Sequence, residues 1–176
     1  MNILVYPNKI LARPAEPVEN IDEHIAKTAD AMLKTMYLAK GIGLAANQVG
    51  LLHRLVVIDC SHADPAFKPL TLVNPEITDS EGSEDGEEGC LSVPGYFAKV
   101  KRPAAVEVKG YDLNGRELLF QADGLLGRCI QHEIDHLDGI CFVERLGSLK
   151  KTMFRKKWNK IRPGDLLVPE EMGEDE

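Results

Sequence analysis

The chain carries the stretch His132-Glu133-Ile134-Asp135-His136 within a longer segment, 124–137, whose apolar spacing predicts a helix. Successive residues of a helix are about 100° apart, so residues four positions apart project within about 40° of each other. The imidazoles of His132 and His136 can therefore approach one cation, which is why this spacing indicates a metal site. Glu133 can reach a water molecule on that cation without being a ligand itself.

An apolar patch leads into the two histidines on the same face of the predicted helix. Leu125, Cys129, His132 and His136 follow one another in steps of 4, 3 and 4 residues. This stripe can simply face the core, and it can also line a small apolar pocket. Leu125 and Cys129 are therefore candidate substrate-binding residues.

Two histidines leave a metal site incomplete, because catalytic centres of the zinc type usually have three protein ligands and a water molecule. No histidine follows His136, and Glu144 is the only glutamate between it and the C-terminal tail. The upstream segment Glu88-Gly89-Cys90-Leu91-Ser92 offers Cys90 as a third ligand, since thiolates bind transition metals strongly. The alternative is that Cys90 is a small buried apolar residue.

Further helices are predicted on both sides of this region. Asn20 and Glu23 resemble a capping box at the start of a helix over 22–40, and Gly41 is expected to end it. A C-terminal helix is predicted over 148–161.

Short apolar runs predict the strands. They cover 55–58 and 70–73, the second ending at Asn74-Pro75, and Asn114-Gly115 predicts a hairpin over 105–121. The proline-rich opening, 7–17, is expected to be extended. The fold class is therefore α+β, with antiparallel strands packed around a central helix that carries the histidine motif.

The composition limits the class of protein. The chain has 176 residues and a net charge of −7. We expect one domain over residues 1–165, including the histidine motif and the C-terminal helix, and a flexible acidic tail over 166–176. The acidic balance argues against DNA binding. Sparse cysteines, no signal peptide and no run of 18 apolar residues predict a cytoplasmic protein with reduced thiols and no membrane span.

Three segments together resemble the signature motifs of the peptide deformylase family. They are Gly41-Ile42-Gly43-Leu44-Ala45-Ala46-Asn47-Gln48, Glu88-Gly89-Cys90-Leu91-Ser92 and Gln131-His132-Glu133-Ile134-Asp135-His136. They occur in the family's order and spacing, and the resemblance covers roughly residues 1–147.

The resemblance implies an enzyme that removes the N-formyl group from the N-terminal formylmethionine of nascent polypeptides and releases formate. It implies that Cys90, His132 and His136 bind one divalent metal ion, typically Fe²⁺. A site of this composition would also accept Zn²⁺, Ni²⁺ or Co²⁺. Glu133 would move the proton between the attacking water and the departing amine.

The resemblance also implies the residues that contact the substrate. The side-chain amide of Gln48 and the backbone N–H of Leu91 match the family's donors to the oxyanion of the tetrahedral intermediate. Ile42 and Gly43 are expected to pair with the substrate backbone as a strand would.

A second set of residues bears on the surroundings of the site. Glu88 matches a family glutamate that pairs with an arginine, and Arg102 is the candidate partner. Gly86, Gly127 and Arg128 depart from the residues usual in the family. We therefore expect the shape of the side-chain pocket, rather than the reaction, to be particular to this chain.

Two other functions fit the histidine motif alone, namely a zincin-like endopeptidase and a non-catalytic, metal-bound peptide-binding module. The endopeptidase is disfavoured because its third ligand would follow the motif in sequence. The intact set of Gln48, Cys90 and Glu133 argues against the binding module, which needs no general base.

The predicted C-terminal helix is rich in lysine and arginine, so it is a candidate contact with ribosomal RNA. A solvated amphipathic helix packed by its aromatic side is the alternative. We expect the protein to be a monomer.

Overall fold

The computed structural model describes residues 1–160, so the predicted tail, 166–176, and the end of the predicted C-terminal helix lie outside the described residues. Three α-helices and seven strands within residues 1–160 confirm the α+β class. In chain order they are α1 (Glu23–Leu38), β1 (Gly43–Ala45), β2 (Leu55–Ile58), β3 (Leu70–Glu81), β4 (Glu84–Cys90), β5 (Val93–Arg102), β6 (Ala105–Tyr111), β7 (Glu117–Asp123), α2 (Gly124–Leu137) and α3 (Ser148–Trp158).

Five of the strands form one antiparallel sheet in the order β1-β2-β3-β6-β7. Strands β4 and β5 form a separate hairpin, with Gly86 opposite Val100 and Glu88 opposite Ala98. Among the described residues, β1 is therefore an edge strand of the five-stranded sheet, with β2 as its one neighbour.

The sheet lies between two helices, because alternate residues of a strand point to opposite faces. Leu55 and Val57 of β2 belong to the cluster packed on α1, whereas Val56 and Ile58 belong to the cluster packed on α2. Helix α2, with the histidine motif, is thus the central helix that the sequence predicts.

A third apolar cluster joins the chain's first residues, β5 and α3. Phe154 and Trp158 of α3 are buried in it, and the indole Nε1 of Trp158 donates to the carbonyl of Tyr6 at 3.1 Å. The aromatic side of α3 therefore docks on the body, while Lys156 and Lys160 are exposed.

Helix α1 confirms the predicted helix but not its predicted ends. Its N-cap is Asp22, whose Oδ1 accepts the N–H of Ile25 at 3.0 Å, so the expected capping box at Asn20 is wrong. The left-handed residue after the helix is Lys40, with φ +56°, and not Gly41.

Other boundaries also differ from expectation. β3 runs through Asn74-Pro75 instead of ending there, because a register shift at this point accommodates Asn74 with φ +51°. The Asn74 side chain accepts a hydrogen bond from the backbone N–H of Val18 and donates one to the carbonyl of the same residue. Within the predicted extended opening, Lys9–Ala12 forms a short 3-10 helix begun by Asn8. α3 ends at Trp158, earlier than predicted.

No helix in the part of the chain that the structure describes combines the length and apolar character needed to span a membrane.

Replacing Asp22 with Ala removes the side-chain acceptor at the start of α1. We expect the free energy of unfolding in urea to fall by about 1 kcal/mol. Asn20→Ala is the matched control and should leave it unchanged, since Asn20 does not cap the helix. A larger loss in Asn20→Ala than in Asp22→Ala would contradict this assignment.

Candidate metal centre

The structure places Cys90, at the end of β4, beside the two histidines of α2. One potential ligand atom from each of Cys90, His132 and His136 lies within 4.8 Å of the other two. The Sγ of Cys90 is 3.1 Å from Nε2 of His136, and the two imidazole centroids are 5.0 Å apart. Residues 46 positions apart in sequence thus meet at one point.

Glu88 orients one of these histidines. Its Oε2 lies 3.0 Å from Nδ1 of His132, so Nε2 of that ring is the nitrogen left for a metal. Arg102 donates to both carboxylate oxygens, at 2.5 Å and 2.9 Å, which confirms the predicted pair. Burial alone would raise the pKa of Glu88, but the hydrogen bonds from His132 and Arg102 outweigh it and lower that pKa to about 2.

The charge network extends beyond the predicted pair. Arg102 also donates to Asp135 at 2.8 Å, and Asp135 accepts two hydrogen bonds from Arg145. Arg128 is a second arginine on Glu88, since its Nη1 donates to Oε1 of Glu88 at 2.9 Å. These partners were not predicted from the sequence, in which the local signal was the occurrence of Arg128 and Asp135 on the motif helix.

Gln48 is held with its amide nitrogen toward the centre. Its Oε1 accepts the backbone N–H of Ala45 at 2.9 Å, and because that N–H can only donate, the opposite atom is Nε2. Nε2 donates to the Oγ of Ser92 at 3.1 Å and to the Sγ of Cys90 at 3.5 Å. Ser92 is a positioning contact that was not predicted from the sequence.

Glu133 is buried beside Gly43. A Cβ at residue 43 would collide with the carboxylate of Glu133 and with the sulfur of Cys129, so this close approach requires glycine. Burial raises the pKa of Glu133 to about 7. Its Oε2 makes no hydrogen bond to any described residue.

A cavity of about 530 Å³ opens onto these groups. Leu125, 40% exposed, lies at its rim, whereas Cys129 is buried. His136 is fully buried and does not line the cavity. All the other predicted site residues line it, namely Ile42, Gly43, Gln48, Cys90, Leu91, Leu125, Cys129, His132 and Glu133.

The donors fit a divalent transition metal. One thiol and two imidazoles suit such ions, whereas Mg²⁺ and Ca²⁺ prefer oxygen ligands. Burial and the neighbouring His132 lower the pKa of His136, which favours the neutral imidazole that a metal needs. Two buried atoms at this point, Oε2 of Glu133 and Nδ1 of His136, have no hydrogen-bond partner among the described residues.

A Cys-His-His cluster formed by the end of a strand and the motif helix, with a buried glutamate beside it and a cavity leading in, defines a metal-dependent hydrolase. Comparison with known proteins shows to which family of hydrolases the chain belongs. The profile described as "Polypeptide deformylase" matches residues 1–152. The chain therefore belongs to the polypeptide deformylase family, a family of enzymes that remove N-formyl groups.

Individual relatives agree along nearly the whole chain. The peptide deformylase of Thermodesulfovibrio yellowstonii is 49% identical over 158 residues, which cover 90% of this chain and 96% of that protein. The peptide deformylase structure from Ehrlichia chaffeensis has a TM-score of 0.86 at 38% identity, covering 95% of this chain and 99% of that one. The structure from Synechococcus elongatus, a complex with actinonin, has a TM-score of 0.83 at 45% identity, covering 92% and 91% of the two chains.

Proposed function

We propose that this centre hydrolyses the formyl group of N-formylmethionyl nascent polypeptides and releases formate. The observation that carries the proposal is that a single cavity reaches Cys90, His132, Glu133 and the amide of Gln48. A substrate that enters this cavity meets a metal-type donor set, a carboxylate and a neutral hydrogen-bond donor together. These are the groups that hydrolysis of an amide requires.

Cys90, His132 and His136 would hold one divalent metal ion. The resemblance to the deformylases favours Fe²⁺, and the same donors accept Zn²⁺, Ni²⁺ or Co²⁺. When bound, the ion supplies Lewis acidity toward a water molecule and the formyl oxygen.

Glu133 carries the proton in this proposal. Its carboxylate accepts a proton from the attacking water and then delivers it to the amine nitrogen as the bond to the formyl carbon breaks. The unpaired Oε2 is available for this transfer, since no described residue occupies it. The close contact with Gly43 holds the carboxylate against the cavity wall.

Gln48 and the backbone N–H of Leu91 would stabilise the oxyanion that develops on the formyl oxygen. Both residues line the cavity, and the contact of Gln48 Oε1 with Ala45 fixes which end of its amide faces the centre. Donors placed before the reaction need not reorganise as charge develops.

The substrate backbone would lie along β1, with Ile42 and Gly43 as its contacts. β1 is the edge of the five-stranded sheet and its first residue lines the cavity, so an extended peptide can pair there as an added strand. The methionine side chain would lie against Leu125 and Cys129, the apolar residues on the cavity face of α2.

Replacing Glu133 with Gln keeps the shape of the side chain and removes its capacity to accept the proton. Formate release from formyl-Met-Ala-Ser by the metal-loaded variant should fall by about 10²- to 10⁴-fold. Glu76→Gln, an exposed change on β3, is the control and should retain full activity.

Three outcomes contradict the proposal. Glu133→Gln acting at the rate of the unmodified protein would remove Glu133 from the reaction. Cleavage of internal peptide bonds without formate would indicate the endopeptidase, and peptide binding without any hydrolysis would indicate the binding module.

Metal removal provides an independent test of the ligand set. All four cysteines are free thiols; Cys90 is half-buried, whereas Cys60, Cys129 and Cys141 are buried. Burial raises the pKa of Cys141 to about 12, which makes it a slow internal reference. We expect a chelator to raise the rate of Cys90 alkylation by iodoacetamide at least about tenfold, and added Zn²⁺ to reverse this, as read by mass spectrometry. Equal rates with and without metal would exclude Cys90 as a ligand.

We also propose that the protein acts as a cytoplasmic monomer and approaches its substrate at the ribosome through α3. The aromatic side of α3 docks on the body, and the basic side chains of Arg155 and Lys156 are exposed, where a phosphate backbone can reach them. Arg155, Lys156 and Lys160 are exposed and make no hydrogen bond or ion pair through their side chains to other described residues.

Reversing these three charges, as Arg155→Glu, Lys156→Glu and Lys160→Glu together, should strongly reduce cosedimentation with ribosomes at low salt, because three positive charges that would contact phosphates become negative. Activity on a short formylated peptide should be unchanged, since these residues lie away from the cavity. Cosedimentation equal to that of the unmodified protein would refute the ribosome contact.

A further inference from the structure

Gly86 and Arg128 meet where β4 passes α2. A Cβ built on Gly86 would lie 2.6 Å from both Cζ and Nε of Arg128, and 2.8 Å from Nη2. The backbone of Gly86 does not have a positive φ, so its conformation does not require glycine. What requires glycine here is the guanidinium, which occupies the place of a side chain at position 86.

The guanidinium is held in that place by both strands of the hairpin. Nη1 donates to Oε1 of Glu88 and to the carbonyl of Val100, each at 2.9 Å. Nη2 donates to the carbonyl of Glu84 at 3.2 Å. Val100 is the residue paired with Gly86, so the contacts of Arg128 surround the point where the side chain of residue 86 is missing.

Arg128 also belongs to the wall of the cavity. It follows Leu125 by three residues and precedes His132 by four, and all three residues line the cavity. Its side chain is only 8% exposed. The guanidinium of Arg128 lies against Gly86 and is paired with Glu88. The methylene groups of Arg128 are therefore the part of the side chain that can form an apolar wall.

We propose that Gly86 and Arg128 act as one coupled determinant of the side-chain selectivity of this cavity. Because Gly86 has no side chain, the Arg128 guanidinium can lie against β4 at this point. In this position its charge stays out of the space that receives the first side chain of the substrate. The inference rests on the proposed function, because it assigns a specificity role within the same site.

A side chain at position 86 would move Arg128 rather than the backbone. The atoms that it would meet form the far end of a flexible side chain, which shifts at less cost than the paired strands β4 and β5. The displaced guanidinium would lose its hydrogen bonds to Glu88, Val100 and Glu84. It would move into the cavity, which is the open volume beside it and where water can solvate a cation. A charge in this position opposes the binding of an apolar side chain.

Conversely, an apolar residue at position 128 would leave the place over Gly86 empty. Arg128→Met removes the guanidinium and retains an unbranched apolar side chain, so the cavity wall should recede and accept larger first residues. A side chain added at position 86 would then fill the gap. The two substitutions should therefore compensate each other, as expected for residues in direct contact.

The test compares Gly86→Val, Arg128→Met and the double variant at equal metal content. The measured quantities are KM and kcat for formate release from formyl-Met-Ala-Ser and formyl-Phe-Ala-Ser. Asp85→Val is the matched control, since it introduces the same residue at an exposed neighbouring position of β4. It should change neither constant.

Gly86→Val should raise KM for the formyl-Met peptide at least about tenfold with a much smaller change in kcat. Arg128→Met should lower the preference for formyl-Met over formyl-Phe at least about fivefold. The double variant should return both quantities to within about threefold of the unmodified protein.

The proposal is overturned if Gly86→Val leaves KM for the formyl-Met peptide within about twofold of the value for the unmodified protein. It is also overturned if the effects of the two substitutions simply add in the double variant. If Gly86→Val does not fold, an unchanged preference for formyl-Met over formyl-Phe in Arg128→Met overturns the proposal independently. Absence of formate from the metal-loaded, unmodified protein would instead refute the proposed function, so the two failures are distinguishable.

Discussion

The buried ion pair between Glu88 and Arg102 is the interaction on which the metal centre depends. Their side chains are 4% and 3% exposed, and ions removed from water to this degree are tolerated only when they are fully paired. Arg102, Arg128 and His132 together satisfy the Glu88 carboxylate. The pairing connects β4, β5 and α2, and it leaves one nitrogen of His132 facing the thiol of Cys90.

Burial of α2 on two sides explains why this pairing is necessary. Ile130, Ile134 and Leu137 form a stripe that packs on the five-stranded sheet. A second stripe, with Arg128, His132 and Asp135 at the same 4 and 3 spacing, makes its polar contacts with the β4–β5 hairpin and with Arg145. One helix thus contributes to the core and to the site, and each charged residue of this second stripe has a partner from another element.

Strong local signals made part of the fold predictable. The bounds of α2 and β2 and the hairpin formed by β6 and β7 were predicted correctly, since periodicity and turn residues act within a few positions. Strands β4 and β5 were missed because Glu84–Cys90 is acidic and glycine-rich, without an apolar run, and is a strand only through its pairing with β5. The start of α1 was misplaced because Asn20 and Asp22 are both good caps, and only the path of the chain selects Asp22.

The sequence by itself determined which residues are candidates for the chemistry. The spacing of His132 and His136 places two imidazoles on one helix face, and the three motifs added Cys90, Glu133 and Gln48. Only the tertiary structure decided what surrounds them, including the arginines on Glu88 and the contact between Gly86 and Arg128. Helical periodicity relates residues three or four positions apart, whereas these hydrogen bonds join residues 14 and 40 positions apart. Such contacts exist only after the hairpin packs against the helix.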